Sequence, residues 1–294
     1  MMASISQVDL LPVWPVRMRW RVFQYGLLAV LMGWIYSPIL ARLATQWWED
    51  SNYSHGFLVP VFSLWSLWRN RSRLREVVPQ PSDSGLILLL AGVGTLIVGV
   101  LGAENFLSRV SLLLVLAGLV VFLAGWGCFR VVLFSWAVLL LMIPIPDIAL
   151  TQITFPLKML ASSIAAMTLQ VLGVPVLREG NIIFLPAMRL EVAEACSGIR
   201  SLLSLMTLAI IYGYLIDTRI YVRVVLALAS VPIAVAANAL RIVITGLLAQ
   251  YWSPDKALGF FHEFSGWLIF LISLGLLIGF HRLWRPAEVR RHVV

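Results

Sequence analysis

The sequence predicts an all-α fold, a polytopic transmembrane helical bundle of about eight spans, and three observations carry that expectation. Of the 294 residues, 61% are hydrophobic and only 12% are charged, where an ordinary soluble domain carries roughly 25% charged side chains. The apolar residues fall in long runs rather than at amphipathic spacing, as the roughly 20-residue span of a bilayer core requires. The basic residues that give a net charge of +8 gather at the ends of those runs. A nucleic-acid surface would need them on one folded face, interleaved with polar and aromatic groups. Their placement instead follows the positive-inside pattern and suits contact with anionic lipid heads. Twelve tryptophans fit the same setting, since indoles favour the membrane interface.

The first element follows Arg17, Arg19 and Arg21 and runs from about Val22 to Ala44. It is too long for a signal-peptide core and lacks a small-residue cleavage site, so it reads as a retained first span. A polar and acidic stretch, Trp47 to Gly56, precedes a short apolar second span that ends in Arg69, Arg71, Arg73 and Arg75. Spans three (Ser84 to Leu101) and four (Phe106 to Trp126) flank a small loop at Glu104-Asn105. Gly92, Gly94, Gly99 and Gly102 could let neighbouring helices approach closely. A turn at Gly127-Cys128-Phe129-Arg130 leads to span five, which Pro144-Ile145-Pro146-Asp147 stops after Ile143.

The stretch up to Glu194 is different in character. Thr151 to Leu172, which contains Lys158, reads as an interfacial or re-entrant helix. Val176 to Val192, punctuated at Glu179-Gly180-Asn181, reads as a small extended hairpin outside the bilayer. Span six (Ile199 to Ile216), span seven (Arg223 to Leu248) and span eight (Phe264 to Phe280) complete the bundle, before Arg282, Arg285, Arg290 and Arg291. Eight spans with both termini cytoplasmic place every basic cluster on one side. With no repeat and no linker, residues 1–294 are expected to form one integral membrane domain without an extra C-terminal soluble domain.

Chemistry is concentrated at the opposite face. Cys128 lies at an inner turn and Cys196 at an outer one, which excludes pairing them within one chain. Two lone thiols without a Cys/His ligand pattern give no reason to expect a metal, and no cofactor is expected either. Cys128 reads as a small hydrophobe at a span end. Cys196 lies where an outer segment enters span six, so unpaired N–H groups and Arg200 a turn later would favour its thiolate. Spacing alone leaves a nucleophile and a structural thiol equally open.

Two further residues reach the same level. Arg241 lies within apolar span seven, about 27 Å along the helix from Arg223. An arginine retained in a span is a functional candidate, against the alternative of snorkelling to the head groups. His262 begins span eight on the outer side. Together these residues have the composition of a thiol acyl-transfer site: Cys196 as nucleophile, Arg241 stabilising the thiolate or oxyanion, and His262 as general base and acid. Around them, Glu191, Glu194, Arg200, Asn238 and His55 are candidates for holding a substrate. Each of these also has a plainer reading as a solvated or loop-anchoring group, and Ser197 is a weaker rival nucleophile.

Four segments carry a resemblance. Ala195-Cys196-Ser197-Gly198-Ile199-Arg200, Asn238-Ala239-Leu240-Arg241, and His262 with Gly266 are similar to the nucleophile, arginine and histidine motifs of exosortases and archaeosortases. Tyr53-Ser54-His55-Gly56-Phe57-Leu58-Val59-Pro60, followed by Trp65 and the arginine cluster, resembles a characteristic early segment of that family. The match is in order along nearly the whole chain.

The resemblance implies a membrane-embedded cysteine transpeptidase of the bacterial inner (plasma) membrane with its active site at the periplasmic face. Its partners would be secreted proteins ending in a PEP-CTERM-like sorting signal, a transmembrane helix and a basic tail. An unknown acceptor, a lipid or polysaccharide, would receive them in a setting of exopolysaccharide and biofilm assembly. The role of the C-terminal domain of longer members would be absent or supplied by a separate accessory protein. Membrane lipids are expected partners and nucleic acid is not. The competing expectation is a transporter, flippase or scaffold for exopolysaccharide precursors, with Arg241 as the anion site.

Overall fold

The computed structural model describes residues 14–192, 198–217, 219–252 and 260–284, except the side chains of 14–22, 25 and 260–263. Helices dominate: α1 (Trp14–Glu49), α2 (Leu58–Arg69), α3 (Arg71–Glu76), α4 (Ser84–Leu101), α5 (Asn105–Val138), α6 (Asp147–Val171), α7 (Ile199–Ile216), α8 (Ile220–Tyr251) and α9 (Phe260–Trp284). Three strands, β1 (Leu177–Glu179), β2 (Ile182–Phe184) and β3 (Arg189–Glu191), lie between α6 and α7. The fold is therefore an all-α polytopic membrane bundle with a small sheet, and seven helical segments are long and apolar enough to cross a bilayer.

One of those seven, Asn105–Met142, is two passages rather than one. The backbone of Gly125 leaves the helix at φ 85° and ψ 174°. Trp136 Nε1 then donates to the Leu113 carbonyl at 2.8 Å across 23 positions, which an unbroken helix would hold about 35 Å apart. The chain doubles back at Gly125, where a Cβ would overlap the carbonyl of Gln80. Positive φ at close backbone approach suits glycine alone, since any side chain would be both strained and obstructed. Buried Cys128 follows in the returning arm.

The second passage is composite. A seven-residue 3-10 turn, Ser51–Phe57, runs into twelve-residue α2, and the two together cover about 30 Å. With α1, α4, the two arms of α5, α7, α8 and α9, and apart from α6, the described residues give eight candidate passages, in line with the apolar runs.

Hydrogen bonds fix the two ends of the bundle. At one, Asn70 Nδ2 donates to Tyr214 Oη at 2.8 Å, Tyr212 Oη meets His281 Nδ1 at 2.9 Å, and Arg223 stacks over Tyr214. Arg69, Arg71, Arg73 and Arg75 lie at this basic end. At the other, Trp47 Nε1 donates to the Met142 carbonyl at 2.9 Å and Tyr53 Oη to the Ile145 carbonyl at 3.3 Å. The sheet belongs to this second end.

α6 has the length of a span, but its packing is confined to the sheet end. Ala161, Ala165, Ala166 and Leu169 bury against Val235, Ala239, Ile242 and Val243, and Leu169 lies against Gly246. A 25-residue helix is about 37 Å long, while 235–246 covers about 17 Å of α8. α6 therefore packs against α8 along only part of its length. It begins earlier than the hydropathy pattern suggests, because Asp147 follows directly on Pro146.

The hairpin expected at Glu179-Gly180-Asn181 is present, with Leu177 paired to Phe184 and Glu179 to Ile182. A third antiparallel strand extends it, with Ile182 opposite Glu191. Ile183, Leu190 and Val192 from the sheet complete the core shared by α6 and α8.

Candidate functional site

The site is built around α8. Asn238 and Arg241 are three residues apart and so share a helix face. Asn238 is 6% exposed, and its side chain fills the space beside Gly198, where a Cβ would lie 2.8 Å from Asn238 Cγ. Arg241 points to a different helix. A Cβ on Gly266 would lie 3.1 Å from Arg241 Nη2 and 3.3 Å from Cζ. One face of α8 thus packs polar groups against the start of α7 and the first turns of α9.

Gly198 sits at φ 65° and ψ −5° as the N-cap of α7. This left-handed conformation turns the incoming chain into the helix, and an L side chain would be strained there. Its carbonyl accepts from Leu202 N and Ser201 Oγ, both at 2.9 Å, which locks the turn. Arg200, in the first turn of α7, donates from Nη2 to Ser51 Oγ and so ties the 3-10 turn to α7. His55, in that 3-10 turn, is half-buried beside the backbone carbonyls of Leu141 and Asn52.

A small hollow between α6, α7 and α8 adjoins the site. Thr154, Lys158 and Ala161 face it from α6, Gly198 and Leu202 from α7, and Asn238 from α8. Lys158 therefore stands near the turn that follows the cysteine segment, a position its sequence context did not assign. Glu191 lies on the sheet face opposite buried Leu190, with Oε2 3.3 Å from Arg189 Nη2.

The expected site residues divide accordingly. Asn238 and Arg241 meet the glycines of the nucleophile and histidine motifs. Arg200 and His55 stand at the same end of the bundle, and Glu191 at the sheet. Cys196 and Glu194 lie outside the described residues. Cys196 precedes Gly198 by two positions. His262 lies in the first turn of α9, four residues before Gly266, with its side chain outside the described set. Among the described residues no group of three or more His, Cys, Asp or Glu side chains could hold a metal.

Arg109 escaped the sequence reading although its signal was present, an arginine inside the fourth apolar run. It is 6% exposed in the first arm of α5, near Tyr53 and Glu104.

A family model described as "Transmembrane exosortase" matches residues 47–279. That range takes in all four motif segments, and the chain belongs to this family of membrane proteins. No curated protein and no solved structure matches the chain.

Proposed function

We propose that this exosortase family member is a protein-sorting cysteine transpeptidase that acts on the C-terminal signal of secreted proteins. The observation that carries the reading is the double attachment of α8: Asn238 against Gly198 and Arg241 against Gly266. Two short motifs, 68 positions apart in number, are thereby tied to one helix face.

In this reading His262 takes the proton of Cys196, and the thiolate sulfur attacks the carbonyl carbon of the scissile peptide bond. The oxyanion that forms is stabilised by the Arg241 guanidinium, in the role preorganised donors play in acyl transfer. The C–N bond breaks as His262 returns its proton to the leaving amine, and the acyl group remains on sulfur as a thioester. An acceptor nucleophile then attacks the same carbonyl, gives its proton to His262 and releases the thiolate. Water in place of that acceptor gives hydrolysis. Asn238 and Arg200 hold the peptide or the turn that carries the nucleophile, with His55, Glu191 and Glu194 at its margins. The basic end faces the cytoplasm, so the chemistry occurs at the outer face of the inner membrane. PEP-CTERM-type proteins are the proposed substrates, in exopolysaccharide-linked surface assembly.

The test is a secreted reporter ending in a PEP-CTERM-type signal, co-expressed with wild-type protein or Cys196→Ala and followed by immunoblot. Wild-type protein shortens the reporter and Cys196→Ala leaves it full length. Processing that persists in Cys196→Ala refutes the cysteine mechanism. Mass spectrometry of the new C-terminus separates an acceptor linkage from a free carboxylate.

A further inference from the structure

The proposed acyl-transfer site leaves Arg109 unused. Its guanidinium faces a groove between α1 and the first arm of α5, of about 700 Å³, formed by Arg42, Gln46, Glu49, Asp50, Asn105 and Arg109 among others. Such a volume falls in the range of small-molecule sites. Arg109 is 6% exposed. Among the described residues no hydrogen bond or ion pair engages it, because the ion pair found among them joins Arg189 to Glu191. Glu104 and Tyr53 are within electrostatic reach but do not close on it. Glu104 instead accepts from Leu107 N at 2.8 Å as the cap of α5. A buried guanidinium without a counter-ion at the edge of a bilayer is unfavourable unless something else neutralises it.

Depth and shape identify what does. Arg109 is four residues into α5, about 6 Å along from the helix start, so it lies near one end of a segment apolar enough to cross a bilayer. The α1 wall of the groove continues away from the sheet end as an apolar surface. Going back from Arg42 at four-residue spacing come Pro38, Trp34 and Val30. Trp34 is 75% exposed and Val30 69%. Polar groove and apolar stripe together match an amphiphile standing along α1.

The charges of the groove are mixed. Arg42 and Arg109 would hold an anion, while Glu49 and Asp50 lie on the same walls. Asp50 Oδ1 already accepts from Asn52 N at 2.9 Å, and exposed Glu49 stands at the rim. This pattern suits a phosphate beside an amine better than a phosphate alone.

We propose that the α1–α5 groove binds one aminophospholipid of the phosphatidylethanolamine type, with its phosphate on Arg109, its amine toward Glu49, and an acyl chain along Trp34 and Val30. The arginine supplies charge-assisted donors to the phosphodiester, and basic pockets between membrane helices are suited to lipid head groups. The bound lipid completes the seam between α1 and α5. The site is independent of acyl transfer at Cys196 and stands or falls separately from it.

The experiment is thermal unfolding of the purified, delipidated protein in detergent, with added phosphatidylethanolamine, phosphatidylglycerol or inorganic phosphate. Wild-type protein is expected to gain about 5 °C with phosphatidylethanolamine, the order of shift saturating binding produces. Phosphatidylglycerol should give less and inorganic phosphate no shift. Arg109→Gln should lose the lipid response. Glu49→Gln should keep it but lose the preference for the amine. Because Glu49 is exposed, that variant tests the head-group assignment even if Arg109→Gln does not fold. An equal lipid response in wild type and Arg109→Gln overturns the proposal, and so does an absent response in wild type. A response to inorganic phosphate equal to that of the lipid identifies a small-anion site and overturns the lipid assignment. Equal preference for the amine in Glu49→Gln and wild type overturns the head-group assignment.

Discussion

Two parts of the bundle use glycine for close approach, and what each glycine touches differs. In the hairpin of α4 and α5, Gly92 lies where a Cβ would be 2.7 Å from Val115 Cγ2, Gly99 where it would be 2.6 Å from Ser108 N, and Gly118 where it would be 2.6 Å from Leu89 N. These neighbours are backbone and apolar atoms, with the Ser108 hydroxyl beside Gly99, so the glycines serve packing between helices. In the assembly of α7, α8 and α9, Gly198 meets the Asn238 amide and Gly266 the Arg241 guanidinium. There the missing side chain leaves room for a polar group that must be held in place. Substitution in the first region should cost stability, and in the second it should cost activity.

The largest effect is expected at Arg241. Arg241→Ala should lower reporter processing by about 100-fold or more, the cost typical of removing one oxyanion donor, with the protein still present in the membrane fraction. Processing within threefold of wild type would remove Arg241 from the chemistry. Next comes Gly198→Ala, which combines a positive φ with a Cβ 2.8 Å from Asn238. The strain of about 1–2 kcal/mol falls on the turn after the nucleophile, and processing should drop by about tenfold. If instead only the amount of folded protein changes, Gly198 belongs with the packing glycines.

Gly266→Ala should have a milder effect of the same kind, because its neighbour is the far end of a flexible side chain. A severalfold loss of processing is expected at unchanged thermal midpoint, read by assay beside unfolding. In the hairpin, Gly92→Ala should show the reverse pattern. Overpacking of this kind costs about 1–3 kcal/mol, so the unfolding midpoint should fall by several degrees while processing per folded molecule is preserved. The smallest effect is expected for Gly94→Ala, where nothing lies within 4 Å of the added Cβ. Both its midpoint and its activity should equal those of wild type.

That contrast between Gly92 and Gly94 shows what the sequence could and could not disclose. Gly92, Gly94, Gly99 and Gly102 were all open candidates for helix contact, yet Gly94 faces no neighbour and Gly102 lies in the turn after α4. Which face of a uniformly apolar helix is buried leaves no trace in hydropathy, since lipid and protein are equally apolar. The reversal near Gly127 was legible, because a turn with Arg130 interrupts an apolar run. The third strand was not. β3 has three residues and follows Pro186, too little for period-two patterning to register. The less apolar character of α6 compared with α4 was legible in the sequence.

At the site, Asn238 and Arg241 announced themselves as polar residues inside a span, at the two ends of one four-residue motif. Their separate partners on α7 and α9 could not be read from spacing, because both contacts are tertiary. Arg109 was equally conspicuous in principle. It was passed over because no motif surrounds it, and its significance lies in burial and in the absence of a salt-bridge partner among the described residues, which only the folded chain shows.

The most direct test of the acyl-transfer account is to trap the covalent state. Purified protein is incubated with a sorting-signal reporter, quenched in acid and analysed by intact mass spectrometry, with and without hydroxylamine. The account predicts an adduct of the reporter's acyl fragment on wild-type protein, located to Cys196 by peptide mapping, removed by hydroxylamine and absent from Cys196→Ala. A Cys196→Ala protein that processes the reporter at the wild-type rate, with no thioester on either protein, would contradict it.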